Sequence, residues 1–509
     1  MIKFSVALCD LSREWTCSGS RWSSGDSWIE PYRHPALETR TTTDGMSWAL
    51  TVRERSSQAP SGSAVISTSD LSGTLAEWRR WPLGSVVLHV ERDRITLTGT
   101  GGVAPVHLTS SGNRVECSWD LTDLRPHLSS DRLVGREVAR ILAGHARYGH
   151  ESLFADVHLL TVGAEACFTP GGLALRYPKP VGRDQPRELM PGVDPVKPFE
   201  ALLEWVLAQR PVRADRTAIQ LSGGQDSATV GLSLGELHPG SITPCAMTLP
   251  GPAGTQQRTR RNELINSFRL GTDDVTVAAL DHLPLHPAGV RRTGLCSAYD
   301  EPYAELLEAL SVAMDSRGVD TVFTGFGGDE LMSVPTQAKR PTRGREWLGP
   351  RARDDAERDA GIAPPTAIPE TALLALRTVS TPLLRAGLWP VAPLTDPHLV
   401  RFARWLPEEW RANKRLFRER LVCRGVPHHV VRPALRENFT QVMGTGLHRY
   451  APAILREIAS ESPLVEAGFL DRRALMVVAD DCGRSVERAI AHSSVYAAIA
   501  LHLALRPLS

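Results

Sequence analysis

Lysine is scarce in this chain: its 509 residues include five (Lys3, Lys179, Lys197, Lys339 and Lys414), so 58 less 5 leaves 53 arginines among the basic residues. No stretch approaches the roughly 18 uninterrupted apolar residues of a membrane span, and residues 1–10 lack the apolar run of a signal peptide. These absences predict a cytoplasmic protein with no membrane span. The eight cysteines include no C-x-x-C pair, which excludes the usual zinc and redox spacings and leaves buried cytosolic thiols as the expectation. Charge of one sign is lacking too: a net charge of +1 supplies no field for nucleic acid or an acidic membrane. A small molecule or a peptide suits such a surface better as a substrate.

What is present is enough apolar residue, 42% of the chain, to fill more than one core, and a chain of this length predicts at least two domains. The first 180 residues read as α+β. Ser85 to Val90 and residues 94–98 are β-branched runs joined by Glu91-Arg92-Asp93, and residues 166–168 and 173–177 flank the turn Thr169-Pro170-Gly171-Gly172. Between them, residues 131–149 carry apolar side chains at helical spacing behind a cap at Ser130 or Asp131. Residues 177–199 hold six prolines and read as extended, so residues 181–197 are taken as a linker and residues 198–509 as the second domain. There a helix over residues 198–209, a strand over 217–221, a glycine loop and a helix from about Ser227 predict a parallel sheet flanked by helices. Beyond Ala372 the pattern is mostly helical, and the charged, proline-containing residues 343–369 read as a mobile loop.

Two loops carry the chemistry. The strand ending at Leu221 runs into Ser222-Gly223-Gly224-Gln225-Asp226-Ser227. Glycines let backbone N–H groups approach oxygen, the serines add hydroxyls and the next helix adds its positive end, so phosphate is the natural guest. This is no Walker A loop, because it has no lysine. Charge neutralisation then falls to a metal and to residues elsewhere. Asp226 is placed to hold magnesium against phosphate, and the second loop, Thr324-Gly325-Phe326-Gly327-Gly328-Asp329-Glu330, offers Asp329 in the same strand-end position. Taken singly, each loop also reads as a glycine-rich turn with a capping aspartate.

The loop at residues 222–227 resembles the pyrophosphate-binding loop of the N-type ATP pyrophosphatases, and most of the chain resembles the asparagine synthetase family. The matching segments are Cys245-Ala246-Met247-Thr248-Leu249-Pro250-Gly251, Asp300-Glu301-Pro302, Gly325-Phe326-Gly327-Gly328-Asp329-Glu330, Pro393-Leu394-Thr395-Asp396 and Lys414-Arg415-Leu416-Phe417-Arg418. The resemblance implies a degenerate Ntn-type glutaminase-like domain, a β-rich sandwich with helices. After it would come an adenine nucleotide alpha-hydrolase-like parallel-sheet synthetase domain with a helical C-terminal part. It also implies ATP and Mg2+, with nucleotide held by Leu221, Ser222, Gly223, Gly224, Asp226, Ser227, Met247, Gly325 and Lys414. Asp226 and Asp329 would hold the metal, and Lys414 would act with them in catalysis by neutralising phosphate charge.

Two departures narrow the substrate. Glutamine-dependent members use an N-terminal cysteine as nucleophile, whereas position 2 here is Ile2, which cannot attack an amide. At Phe326 the asparagine synthetases carry glutamate and the β-lactam-forming relatives a tyrosine; phenylalanine accepts no proton. The nucleophile should therefore need little activation, and an α-amine with a pKa of about 7.7 to 8.0 meets that condition. Such a chain most resembles the lasso peptide cyclases. They imply a leader-cleaved precursor peptide as substrate, with a leader-binding protein and a leader peptidase as partners. The competing expectations are a small-molecule amide ligase, such as a β-lactam synthetase or ammonia-dependent asparagine synthetase, and a catalytically silent ATP-binding scaffold.

Overall fold

The computed structural model describes the chain except for residues 59–64, 101–102, 183, 294–295, 334–344, 359 and 509. Lys339 and Arg343 therefore lie outside the described residues.

Two seven-stranded sheets form the first part, antiparallel except where Val65–Ser67 runs parallel to Leu37–Thr43 at an edge. Strict alternation explains how they stack. Along Trp48–Glu54, Leu50 and Val52 point into the core shared with Ile2, Phe4 and Val6 of the other sheet, while Ala49 faces the helix Leu71–Arg79 on the outside. The strands Ser85–Val90 and Ile95–Thr100 pair as a hairpin, and so do Glu165–Thr169 and Gly172–Arg176.

The helix expected over residues 131–149 is shorter, Gly135–Ala143, and neither Ser130 nor Asp131 caps it. Residues 132–134 pair instead with residues 153–155: the amide of Val134 donates to the Leu153 carbonyl and that of Ala155 to Arg132. Satisfying those backbone groups outside the helix moves its start to Val134. Gly144, in the left-handed region at φ +63°, ends it.

Helix Val196–Ala208 leads into a five-stranded parallel sheet. Its spatial order is Val275–Ala278, Thr243–Thr248, Thr217–Gln220, Thr321–Phe323, Trp389–Val391. The chain thus builds outward on one side of Thr217–Gln220 and then crosses to the other side. The switch point falls between Thr217–Gln220 and Thr321–Phe323, whose carboxyl ends are where a doubly wound sheet binds ligands. The Trp389–Val391 strand was not foreseen. It is three residues long and contains Pro390, which an edge strand tolerates because, among the described residues, one side of it pairs with no other strand.

The proline-rich stretch before this unit is strapped down: Val181 N–H donates to Pro365 O (3.0 Å), Arg187 N–H to Trp405 O (2.8 Å), and the Arg187 guanidinium lies over the Trp405 ring. The expected mobile loop is also anchored in its described part. Trp347 is fully buried, Leu348 bridges to Leu470, and Pro350–Asp355 is helical. Burial of an indole side chain and backbone pairing hold this segment against the helices Thr440–Glu461 and Arg472–Arg484, with which Trp347 shares a core. That second core also takes in Val138 and Leu142 from the early helix and Ile499 and Leu503 from Tyr496–Leu505. Among the cysteines, Cys117, Cys245, Cys296 and Cys482 are buried, but Cys9, Cys17 and Cys423 are exposed, so the expectation of buried thiols holds for only half of them. Among the described residues, no helix is long and apolar enough to cross a membrane.

Candidate active site

The two glycine loops meet at the switch point. Helix Gln225–Leu237 begins two residues earlier than expected, with Gly224 as its N-cap, so Asp226 and Ser227 sit in its first turn. Gly223 has φ +91°, a conformation that L side chains rarely adopt. The loop is closed by its own hydroxyls: Ser222 N–H donates to Ser227 Oγ (3.2 Å), Gly224 N–H to Ser222 Oγ (3.2 Å), and Ser227 Oγ–H to Gly224 O (3.2 Å). Leu221 is fully buried at the strand's end.

The second loop nests against the first. A Cβ on Gly325 would lie 2.6 Å from the Ser227 nitrogen, and one on Gly328 would lie 2.5 Å from the Asp226 carboxylate. Only glycine permits that approach. Gly327, at φ +89°, turns the chain into the short helix Gly328–Leu331, which carries Asp329.

Lys414 joins the two loops. Its ammonium donates to Asp226 Oδ2 at 2.5 Å and lies 2.6 Å from Asp329 Oδ1. The backbone that delivers it is strained, since Asn413 and Lys414 both occupy the left-handed region at φ +51° and +55°. Two consecutive non-glycine residues there store energy that the surrounding contacts must over-determine, a pattern concentrated at functional positions.

Burial pushes the Asp226 carboxyl up to about 6, against the pull of Lys414; Asp329 and Glu330 push the same way as burial. Burial works to lower the Lys414 pKa, but the two carboxylates outweigh it and hold the group above its ordinary value. Both members of the pair are therefore mostly charged at neutral pH. Asp226 Oδ1 is buried with no hydrogen-bond partner, while the Asp329 side chain is 83% exposed. An orphaned buried carboxylate oxygen beside a second, accessible carboxylate fits magnesium, which takes one or two protein carboxylates and completes its octahedron with phosphate and water. Among the described residues, no group of three or more His, Cys, Asp or Glu side chains forms a metal cluster. Most ligands of a cation here would thus come from what binds with it.

Met247 lies near the carboxyl end of Thr243–Thr248, half-buried. Its carbonyl accepts from Gln257 Nε2 (3.2 Å), which also donates to Ser222 O (3.0 Å), while Gln257 Oε1 accepts from Leu249 N–H (2.8 Å). One amide thereby fixes the strand end against the loop. Gln257 belongs to helix Gly251–Ser267, which also supplies two arginines beneath the first loop. Arg261, fully buried, donates to Leu221 O and pairs with Asp274. Arg260 donates to Val430 O (2.8 Å) and pairs with Glu437 at 2.6 Å, a carboxylate beside Gly223.

Sequence reasoning missed these residues. A signal was present: this helix, set between parallel strands, has scarcely any apolar face, so something polar had to be buried behind it. Arg418 is half-buried with its Nε unpartnered, its pKa lowered by burial and by Arg432 and Arg415, although Glu419 opposes the shift. Asp300 is buried, accepts from Ser297 N–H (2.8 Å) and lies 3.8 Å from Arg385. Asp396 caps helix Pro397–Trp405 through His398 N–H. Phe326 packs, as Met247 does, against the core of Ala218, Cys245 and Val322.

No family model matches the chain, and no curated protein is significantly similar to it. Among solved structures, it is similar to glutamine phosphoribosylpyrophosphate (PRPP) amidotransferase from B. subtilis, solved with ADP and GMP, at 10% identity. The match covers 64% of this chain and 90% of that one, at a TM-score of 0.21. So low a score carries no argument about fold or activity. The class defined by the architecture itself is a mixed α/β protein in which two antiparallel sheets precede a doubly wound parallel sheet.

Proposed function

We propose that this chain is an ATP-dependent carbon–nitrogen ligase, an enzyme of the asparagine synthetase-like kind, that activates a carboxylate as an acyl-adenylate. The observation that carries this reading is the Lys414 ammonium held between Asp226 and Asp329 at the switch point. In it, Ser222, Gly223, Gly224 and Ser227 cradle the pyrophosphate of ATP, while Met247 and Leu221 border the nucleotide and Gly325 leaves room for it. Asp226 and Asp329 would hold Mg2+, which would screen phosphate charge. Lys414 then turns from the carboxylates to the α-phosphate and stabilises the charge that develops as pyrophosphate leaves.

The acyl acceptor is inferred from what is missing. Ile2 is fully buried in the first strand, so the N-terminal module would be a glutaminase relic with no nucleophile at that position. Phe326 cannot serve as a base. An α-amine needs least help, so the reading favours a lasso peptide cyclase. The Asp or Glu side chain of a leader-cleaved precursor peptide is adenylated, the peptide's own N-terminal amine attacks the acyl carbon, and AMP leaves as the isopeptide bond closes the macrolactam. A leader-binding protein and a leader peptidase would work beside it in the cytoplasm.

The test is to incubate the protein with ATP, magnesium and linear peptides bearing a free N terminus and an Asp or Glu at the ring position. Pyrophosphate, AMP and a product lighter by one water are expected. Turnover of a β-amino acid with none of the peptides would move the assignment to a small-molecule amide ligase. ATP binding without any pyrophosphate release would leave a silent scaffold.

A further inference from the structure

A cavity of about 710 Å3 opens beside the second loop, between the N-terminal sheets, the proline-rich stretch and the parallel-sheet unit. That size is ordinary for a ligand pocket. Tyr148, Ile368, Leu373 and Val400 give it apolar walls, and Glu330, Ser333 and Arg411 line the side nearest the nucleotide loops. Arg411 is 7% exposed. Its Nη1 donates to Ser333 O (3.1 Å), but its Nε is buried with no partner, and among the described residues no carboxylate pairs with it. A buried guanidinium presents its donors in a fork that matches a carboxylate, and leaving one unpaired is costly. Ser333 lies just past the short helix Gly328–Leu331, so Arg411 is bonded to the same chain segment that carries Asp329. Asp184, Glu330, Glu370 and Glu408 line the cavity together with Arg147 and Arg404, a mixture of charges that suits a ligand carrying an amine as well as an acid.

We infer that this cavity receives the peptide substrate and that Arg411 takes its reactive carboxylate, delivering the acid to the nucleotide. The inference rests on the ligase reading and extends it to a substrate site that the family motifs do not mark. The apolar walls seat the residues on either side of the acid. The Arg411 guanidinium selects Asp or Glu over the matching amides.

The probe is a linear peptide with apolar residues around a single Asp, a free N terminus and a fluorophore at its C terminus, alongside the same peptide with Asn. In fluorescence anisotropy without nucleotide, the Asp peptide should bind the full chain at least about tenfold tighter than the Asn peptide. Arg411→Met should erase that preference and leave magnesium–ATP binding unchanged. Ala363→Trp, which fills the cavity from its wall, should block both peptides and still bind magnesium–ATP; it decides the matter if Arg411→Met fails to fold. Retained preference in Arg411→Met, or ordinary peptide binding by Ala363→Trp, overturns the inference. Pyrophosphate release separates the two readings. If release is supported by the peptide but indifferent to both substitutions, the ligase stands and this cavity is not its substrate site. Binding that depends on Arg411 with no release from any peptide removes the ligase and keeps the carboxylate site.

Discussion

Buried titratable groups of the N-terminal sheets and of the switch point of the parallel sheet meet different fates. Two in the N-terminal sheets, Cys117 in the core between them and His107 on the other face of its strand, are kept neutral. Burial drives the Cys117 thiol up to about 12, and His107 is pulled down to about 3 by burial and by Arg377 against the opposing Asp120. At the switch point Lys414 is held charged by Asp226 and Asp329, and Asp226 is buried beside it with its carboxyl raised to about 6 and one carboxylate oxygen left unsatisfied. The difference lies in what each region can do. Neutral buried groups fill space, whereas charged and under-satisfied ones are poised for a ligand that completes them. Folding into a compact chain does not explain the second arrangement, because the simplest relief for a buried charge is to lose it.

The comparison breaks most readily at Lys414. Lys414→Ala should slow pyrophosphate release roughly a hundred- to a thousandfold, as removal of a preorganised stabilising donor does; quench-flow measurement of a single turnover reads it. A near-normal rate would mean that the charged trio is structural. Next in size is the loop contact. Gly325→Ala places its methyl 2.6 Å from a backbone nitrogen and should destabilise the chain by about 1–3 kcal/mol with severe loss of turnover. Gly112→Ala, in an open hairpin turn at φ +59° with nothing within 4 Å, should cost about 1 kcal/mol and leave activity alone. Urea titration of both variants separates backbone preference from crowding at the site.

How much of this was legible beforehand follows from how local each feature is. The glycine loops and their aspartates are written in contiguous residues, and five lysines in the whole chain make Lys414 conspicuous. The hairpin Ser85–Val90 with Ile95–Thr100 is likewise local. That Lys414 sits between Asp226 and Asp329 depends on strand order and on two left-handed residues that no composition rule would place there. Gln257, Arg260 and Arg261 look like solvated polar helix residues until the parallel sheet buries them. Arg411 owes its interest to a missing partner, a property of the packed chain. The strand Trp389–Val391 and the true start of helix Gly135–Ala143 were obscured for the same reason: pairing with distant backbone decided them.

A smaller effect sharpens the neutral side of the comparison. Because the folded-state pKa of His107 lies far below the free value of 6.5, the unfolded chain binds a proton that the folded chain refuses. Stability from this group is therefore complete above about pH 6.5 and drains as pH falls toward 3, by about 2 kcal/mol at pH 5. His107→Leu should flatten the dependence of the urea midpoint on pH between 5 and 7. An unchanged slope would mean that His107 takes up a proton within the fold.

The smallest effect is expected at Phe326, and it bears on the chemistry most directly. Its ring packs against the apolar core beneath the second loop, so Phe326→Leu removes contact area but no proton acceptor. The expected cost is about 1 kcal/mol in stability and less than threefold, roughly, in the rate of amide formation, since an acyl-adenylate meeting an α-amine that keeps a useful neutral fraction near pH 7 needs no base from the loop. The pH profile makes the test strict. If the amine supplies its own lone pair, the rate must climb with pH through the amine's own pKa and shift when the first residue of the peptide is changed. A profile that ignores the peptide and changes with Phe326→Leu would place a protein base near that ring and undo the reason for choosing an α-amine over a weaker nucleophile.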